Sequence, residues 1–221
     1  MYVRKKMYNI EKLRQTLKEK HIIGQQCQRN YNLDQVMPEE DVQTIIHAVT
    51  QCPSKQNLDY YSIVAVEDRA IIERIYQDHT LTAKGRKNPQ ILGHLLLVFV
   101  SKKPSFADRN REIRHAYNVS EVVSNPTEGN MDISLLEDTH QAIGIAAGFA
   151  NVTATMLGYR CGFNRRFDNR EVEEILGITE GNAILMLGIG IPDLTRDRKL
   201  EHYENVEITS FPKIPIDVKR I

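Results

Sequence analysis

Residues 138–158 (DTHQAIGIAAGFANVTATMLG) constrain the fold more than any other stretch of the chain. Their length gives about six helical turns. The segment is apolar on nearly all sides, which suits either a membrane span or a central helix packed on several neighbours. Asp138, Thr139, His140, Gln141 and Asn151 lie within it, and a lone spanning helix would have to place them in lipid at a cost. The expectation is therefore a buried core helix. Gly144 and Gly148, four residues apart, let another backbone approach one face. His140 reads as a satisfied core or interface histidine.

The flanking patterns supply elements to pack on that helix. Ile10, Leu13 and Leu17 recur at helical spacing between residues 8 and 21. Pro38-Glu39-Glu40-Asp41 is a helix start, with proline early and acids where the dipole favours them. Val42, Ile45, Ile46 and Val49 form its inward stripe, and Pro53 ends it. Residues 60–67 (YYSIVAVE), 95–100 (LLLVFV) and 183–191 (AILMLGIGI) read as strands. Asp68 caps a helix to about Gln77, and Asp168 or Asn169 starts another that runs to Leu176 and ends at Gly177. Residues 160–166 read as a loop. Residues 102–130 are polar and irregular, a candidate lid. The tail, residues 200–221, has little core of its own and is expected to lie on a partner subunit. With no repeat or linker, residues 1–221 form one α+β domain.

Composition removes several function classes. Lys+Arg and Asp+Glu number 29 each, so the net charge is zero. No global field draws the chain to nucleic acid or an anionic membrane, and any anion site must be local. Three scattered cysteines, Cys27, Cys52 and Cys161, argue against a disulfide framework and for a reducing cytoplasm. The seven histidines show no metal-ligand spacing, so no metal site is expected. GxSxG, HExxH, Walker A and GxGxxG are all missing.

Two short segments remain. Gln51-Cys52-Pro53-Ser54-Lys55-Gln56-Asn57 exposes polar side chains between a helix and a strand, and Asn57 offers both a carbonyl and an amide. Leu157-Gly158-Tyr159-Arg160-Cys161-Gly162-Phe163 places a glycine where backbone can approach a flat ligand. Taken alone, the first reads better as a polar helix-strand connection and the second as a helix cap followed by an ordinary turn.

Their order resembles the nitroreductase-like flavoproteins. Gln25-Gln26-Cys27-Gln28-Arg29-Asn30-Tyr31 is similar to the family's Arg-Arg/His-Ser-x-Arg/Lys-x-Phe segment. Pro38 to Asp41, the Pro53-Ser54 to Asn57 loop, the Leu-Gly-x-x-Cys-Gly end of the long helix, VEEILGI at 172–178 and Gly190-Ile191-Pro192-Asp193 follow in the family's order. The similarity spans roughly residues 8 to 200.

The resemblance implies a central, mostly antiparallel sheet flanked by helices, in a homodimer with an exchanged C-terminal tail. It implies two FMN sites, each built from both chains, and NAD(P)H as electron donor. Arg29 would meet the FMN phosphate with Gln25, Gln26 and Cys27 beside it, and Arg196 and Arg198 would close from the tail. Pro53, Ser54, Lys55 and Asn57 would lie along the ring and ribityl chain. Arg86 and Asn88 would face the pyrimidine edge, and Cys161 and Gly162 would set a backbone N–H near flavin N5. Arg114 and Tyr117, in the lid, would contact substrate. The implied activity is ping-pong hydride transfer from NAD(P)H through FMN to a small nitroaromatic or quinone-type acceptor. Alternatives are reductive dehalogenation, flavin cleavage or a non-catalytic flavin-binding module. Gln25 and Cys27 depart from the family's Arg and Ser, which thins the phosphate end. Asp59-Tyr60-Tyr61 stands where the family has Gln-Pro-Trp.

Overall fold

A computed structural model of the chain describes residues 9–81, 85–104 and 131–221, with the backbone alone for 131–134. Strand β2, Leu95–Ser101, sets the architecture, because six of its seven residues are buried and its two faces feed two separate cores. Leu95, Leu97 and Phe99 point to one side of the sheet, and Leu96, Val98 and Val100 to the other. A strand apolar on both faces must be covered on both faces.

Four strands lie in the order β1-β2-β4-β3, all pairs antiparallel. β1 is Tyr61–Val66, β3 is Arg160–Asn164 and β4 is Ala183–Gly190. Helix α1, Ile10–Gly24, is capped by Asn9, which accepts from the Lys12 N–H at 3.1 Å. Helix α2, Glu39–Thr50, buries Val42, Ile45 and Val49. It packs on the long helix α4, Met131–Leu157, over the first face of the sheet. Helix α3, Arg69–His79, and helix α5, Asn169–Leu176, cover the other face with Ile72, Ile75 and Val172. Asp68 caps α3 by accepting from the N–H groups of Ala70 and Ile71, and Gly177 ends α5 in the left-handed region at φ 64°.

The structure corrects the reading of residues 160–166 as a loop. Arg160–Asn164 form the edge strand β3, in register with Gly190 to Met186 of β4. No hydrophobic alternation announces this strand. Its pairing rests instead on a Gly162–Gly188 cross-strand pair, over which the turn Pro89–Ile91 lies. A β-carbon on Gly162 would come within 2.6 Å of Gln90 Cβ and 2.7 Å of Gln90 O. One on Gly188 would meet the Gln90 carbonyl more closely still. Only bare backbone lets these segments stack.

Helix α4 starts at Met131, earlier than its sequence pattern predicts, and is buried along part of its circumference. Ala146, Ala150 and Ala154 are fully buried, whereas Ile145, Phe149, Val152 and Met156 are 37–44% exposed. It is therefore a core helix with an apolar side that the described residues of the chain leave uncovered.

Residues 192–208 return across the sheet edge. Tyr76 donates to the buried Glu201 carboxylate at 2.6 Å, and Asn30 Nδ2 donates to the carbonyls of Asp197 and Leu200 at 2.8 and 2.9 Å. Further on, Phe211, Ile214, Ile216 and Val218 are all at least 75% exposed. No helix among the described residues is long and apolar enough to cross a membrane.

Candidate functional site

The segment Cys27–Tyr31 is held against the outer edge of β3. The Gln28 N–H donates to the Cys161 carbonyl at 2.8 Å, and the Arg29 N–H donates to the Arg198 carbonyl at 3.1 Å. Arg29 is thereby fixed between the sheet edge and the returning tail, with 8% of its surface exposed. It forms one wall of a cavity of about 600 Å³. Asn88 and Gln90 close a second wall, Asn164 to Arg166 a third, and Ile208 and Phe211 a fourth.

The polar groups here are short of acceptors. The Arg29 guanidinium reaches the Cys27 carbonyl at 3.5 Å, and Arg198 donates to the same carbonyl at 3.2 Å. Burial pushes the Arg29 pKa down, and the Arg198 cation adds to the shift. Arg160 is likewise lowered, by burial and then by Arg198. Arg29 and Arg198 thus share one carbonyl oxygen, with the Arg160 cation near enough to Arg198 to feel it, an arrangement an anion would relieve. Asn164 Oδ1 accepts from the Arg166 N–H at 2.9 Å, but its buried Nδ2 has no hydrogen-bond partner among the described residues. Asn88 accepts from the Gln90 N–H at 3.2 Å and donates to Gln90 Oε1 at 3.3 Å, so the two amides brace each other within one turn. A flat, anionic molecule with amide-like edges fits this set of donors and this volume.

Of the residues expected at the site, Arg29, Arg86 and Asn88 line this cavity. Arg198 stands behind it through Cys27, whose own side chain is part-exposed. Gln26 lies with Arg160, Arg196 and Arg198 in a separate small recess. Arg196 spends its donors on the carbonyls of His202 (2.9 Å) and Glu201 (2.6 Å) and on Asn205 Oδ1 (2.9 Å). It braces the tail loop. Gln25 caps the end of α1, and its N–H donates to the His21 carbonyl at 3.2 Å.

Cys161 is buried, and burial drives its thiol well above the usual range. Gly162 does not open space for a ligand, since Gln90 and Gln28 occupy the room next to it. Cys161 aims its carbonyl outward at Gln28. The alternation of an antiparallel ladder then aims the Gly162 N–H inward at Gly188.

Pro53, Ser54, Lys55 and Asn57 sit elsewhere. Ser54 and Asn57 line a separate cleft of about 620 Å³ beside α2 and the free edge of β1, and the two spaces share no lining residue. Ser54 donates to the Leu58 carbonyl at 2.7 Å, Lys55 pairs with Asp138 at 2.6 Å, and exposed Pro53 precedes the turn. Gln56 and Asn57 adopt positive φ. Arg114, Tyr117 and most of the 102–130 segment lie outside the described residues.

Sequence reasoning missed Gln90, Arg160, Asn164, Arg165 and Arg166. Asn164-Arg165-Arg166 resembles any polar turn, and only a correct reading of β3 would have placed it at a sheet edge.

A helix-flanked antiparallel sheet, with a cation-walled cavity at one edge and a long helix left partly uncovered, defines a distinct α+β fold class. The nitroreductase family profile matches residues 22–191, most of the chain, and the protein belongs to that family of oxidoreductases. Solved structures share the fold at low identity. A putative nitroreductase, ydfN, from Bacillus subtilis is 16% identical with a TM-score of 0.62, over 93% of this chain and 96% of that one. NfrA1 from B. megaterium is 18% identical with a TM-score of 0.60, over 89% and 75%. The NADPH:FMN oxidoreductase from Vibrio harveyi, complexed with NAD+, is 21% identical with a TM-score of 0.57, over 90% and 80%. No curated protein matches the chain.

Proposed function

We propose that the protein is an FMN-dependent NAD(P)H oxidoreductase that works as a homodimer on a small electron-poor acceptor of the nitroaromatic or quinone type. The observation that carries this reading is the meeting of Arg29 and Arg198 at the Cys27 carbonyl, beside a cavity walled by the mutually bonded amides of Asn88 and Gln90. FMN, when bound, supplies the hydride-accepting and hydride-donating centre, and donor and acceptor take turns at it. Arg29 and Arg198 would hold the phosphate dianion. Asn88, Gln90 and Asn164 would orient the ring edge, and Phe163 would help exclude water. No acid/base pair is asked of the protein, in keeping with the missing catalytic motifs.

The homodimer is supported by the exposed apolar side of α4 and by the exposed tail from Phe211 onward. A partner would also bring its Ser54–Asn57 loop towards the Arg29 cavity, which one chain leaves apart.

The test is to purify the protein, saturate it with FMN, remove free flavin and record the visible spectrum before and after anaerobic NADH or NADPH. One flavin per chain, bleached by a nicotinamide and reoxidised by an acceptor, is expected. A colourless protein after saturation with FMN ends this reading. Bound flavin that neither nicotinamide reduces would favour a non-catalytic flavin-binding module, which the substitutions Gln25 and Cys27 motivate.

A further inference from the structure

The charge on the cavity wall exceeds what a flavin phosphate needs. Arg29, Arg86, Arg165 and Arg166 all line it. Among the described residues the one lining carboxylate, Glu207, is 3.6 Å from Lys199. In a chain whose 29 basic and 29 acidic residues balance, such a surplus is a local field, and a concave wall focuses it.

The cations divide into two groups. Arg29 and Arg198 meet at the Cys27 carbonyl, on the side where the phosphate is proposed to bind. Arg165 and Arg166 lie past the end of β3. Their backbone is pinned: the Arg166 N–H donates to Asn164 Oδ1 at 2.9 Å, and the Arg166 carbonyl accepts from the Leu81 N–H at 3.2 Å. Their side chains are exposed, and among the described residues neither guanidinium makes a hydrogen bond or ion pair. Two forked donors on a fixed turn, at the rim of a redox cavity and without protein acceptors, suit a carboxylate, sulfonate or phosphate.

We propose that the acceptor reduced at this site carries an anionic group, which Arg165 and Arg166 receive. The inference rests on the FMN reading above. It concerns which acceptor enters, whereas that reading concerns whether flavin chemistry occurs at all.

The experiment uses the FMN-loaded protein with three matched acceptors: 4-nitrobenzoate, neutral 4-nitrobenzamide and cationic 4-nitrobenzylamine. The expected order of kcat/KM is carboxylate, amide, amine, with at least about tenfold between the first two at low salt, carried mainly by KM. The ratio should shrink as ionic strength rises past about 0.1 M. In R165Q/R166Q the carboxylate-to-amide ratio should fall towards one, and R165K/R166K should restore part of it. A second readout is independent of turnover: unreactive benzoate should perturb the bound flavin's visible spectrum, with Kd about tenfold weaker in R165Q/R166Q. Melting temperature and flavin content confirm that the variants fold.

Equal kcat/KM for the three acceptors would overturn the proposal. So would an effect of R165Q/R166Q confined to NADPH over NADH, which would assign the arginines to the donor's phosphate. A protein that binds no flavin would instead break the earlier reading, so the two failures are distinct.

Discussion

The Arg29 cavity and the Ser54 cleft are nearly equal in volume, about 600 and 620 Å³, yet they are built in opposite ways. The cavity is assembled from segments distant in sequence. Residues 27–30 bond to β3 and to residues 197–200, and the walls carry four arginines. The cleft is assembled locally. Ser54 bonds to Leu58, Cys52 bonds to the Val49 carbonyl at 3.1 Å, and Asp59 is the one lining charge among the described residues. Long-range bonding fixes a site before its ligand arrives. A locally held loop offers donors but no enclosure. On the proposed function, the first space would take the flavin and the second would be a surface for a partner to complete.

The largest effect should come from the element that would join the two spaces. Ending the chain after Ile208 removes Phe211 and the exposed apolar residues beyond it. Light scattering should then show a monomer, and the protein should lose its flavin colour. A truncated chain that stays dimeric would remove the tail from the account. Next, Arg29→Ala should weaken FMN binding about 10- to 100-fold, the scale of a lost charged hydrogen bond, in a fluorescence titration of flavin-free protein. Ser54→Ala should cost about fivefold or less, because that hydroxyl already serves the Leu58 carbonyl. If Ser54→Ala costs more than Arg29→Ala, the assignment of the two spaces is reversed.

Smaller effects probe the scaffold under the cavity. Gly162→Ala forces a β-carbon against Gln90 and Gln28, within 2.6–2.9 Å, and should destabilise by about 1–3 kcal/mol. A thermal melt should fall by several degrees. The mildest change concerns the tail brace. His202 Nδ1 accepts from the Tyr31 N–H at 3.3 Å, and burial, then Arg196, lowers its pKa. His94 is lowered too, chiefly by burial. The unfolded chain therefore binds more protons below about pH 6.5 than the folded one does. Stability from these groups is complete above that pH and is lost as pH falls through the depressed folded values. Melting temperature should drop between pH 6.5 and 5, and His202→Asn should make the drop shallower.

The legible parts of the sequence were those in which one pattern had one structural use. β2 and β4 read as apolar runs, α2 and α5 carried their caps and stripes, and all appeared close to the expected bounds. The strand at Arg160–Asn164 did not, because its only buried apolar side chain is Cys161, and its stability comes from backbone packing that no side-chain period encodes. That error hid Asn164, Arg165 and Arg166. In the other direction, the Arg-x-Arg pattern at 196 and 198 reads as a matched pair, yet one member braces the tail and the other backs the cavity. Which carbonyls an arginine meets depends on the return path of the tail, and local sequence does not record it.

The bare backbone at Gly162, Gly188 and Gly190 also bears on folding fidelity. Antiparallel pairing by itself tolerates a slide of one strand past another. If β4 slipped by one residue, however, Ile189 or Ile191 would stand where the Gln90 carbonyl and the His94 ring now press on glycine. The mispaired sheet would have to shed the turn at Pro89–Ile91, and with it Asn88 and Gln90. The glycines therefore act as a proofreading stop: only the chain that pairs in the right register can close the wall of its own cavity.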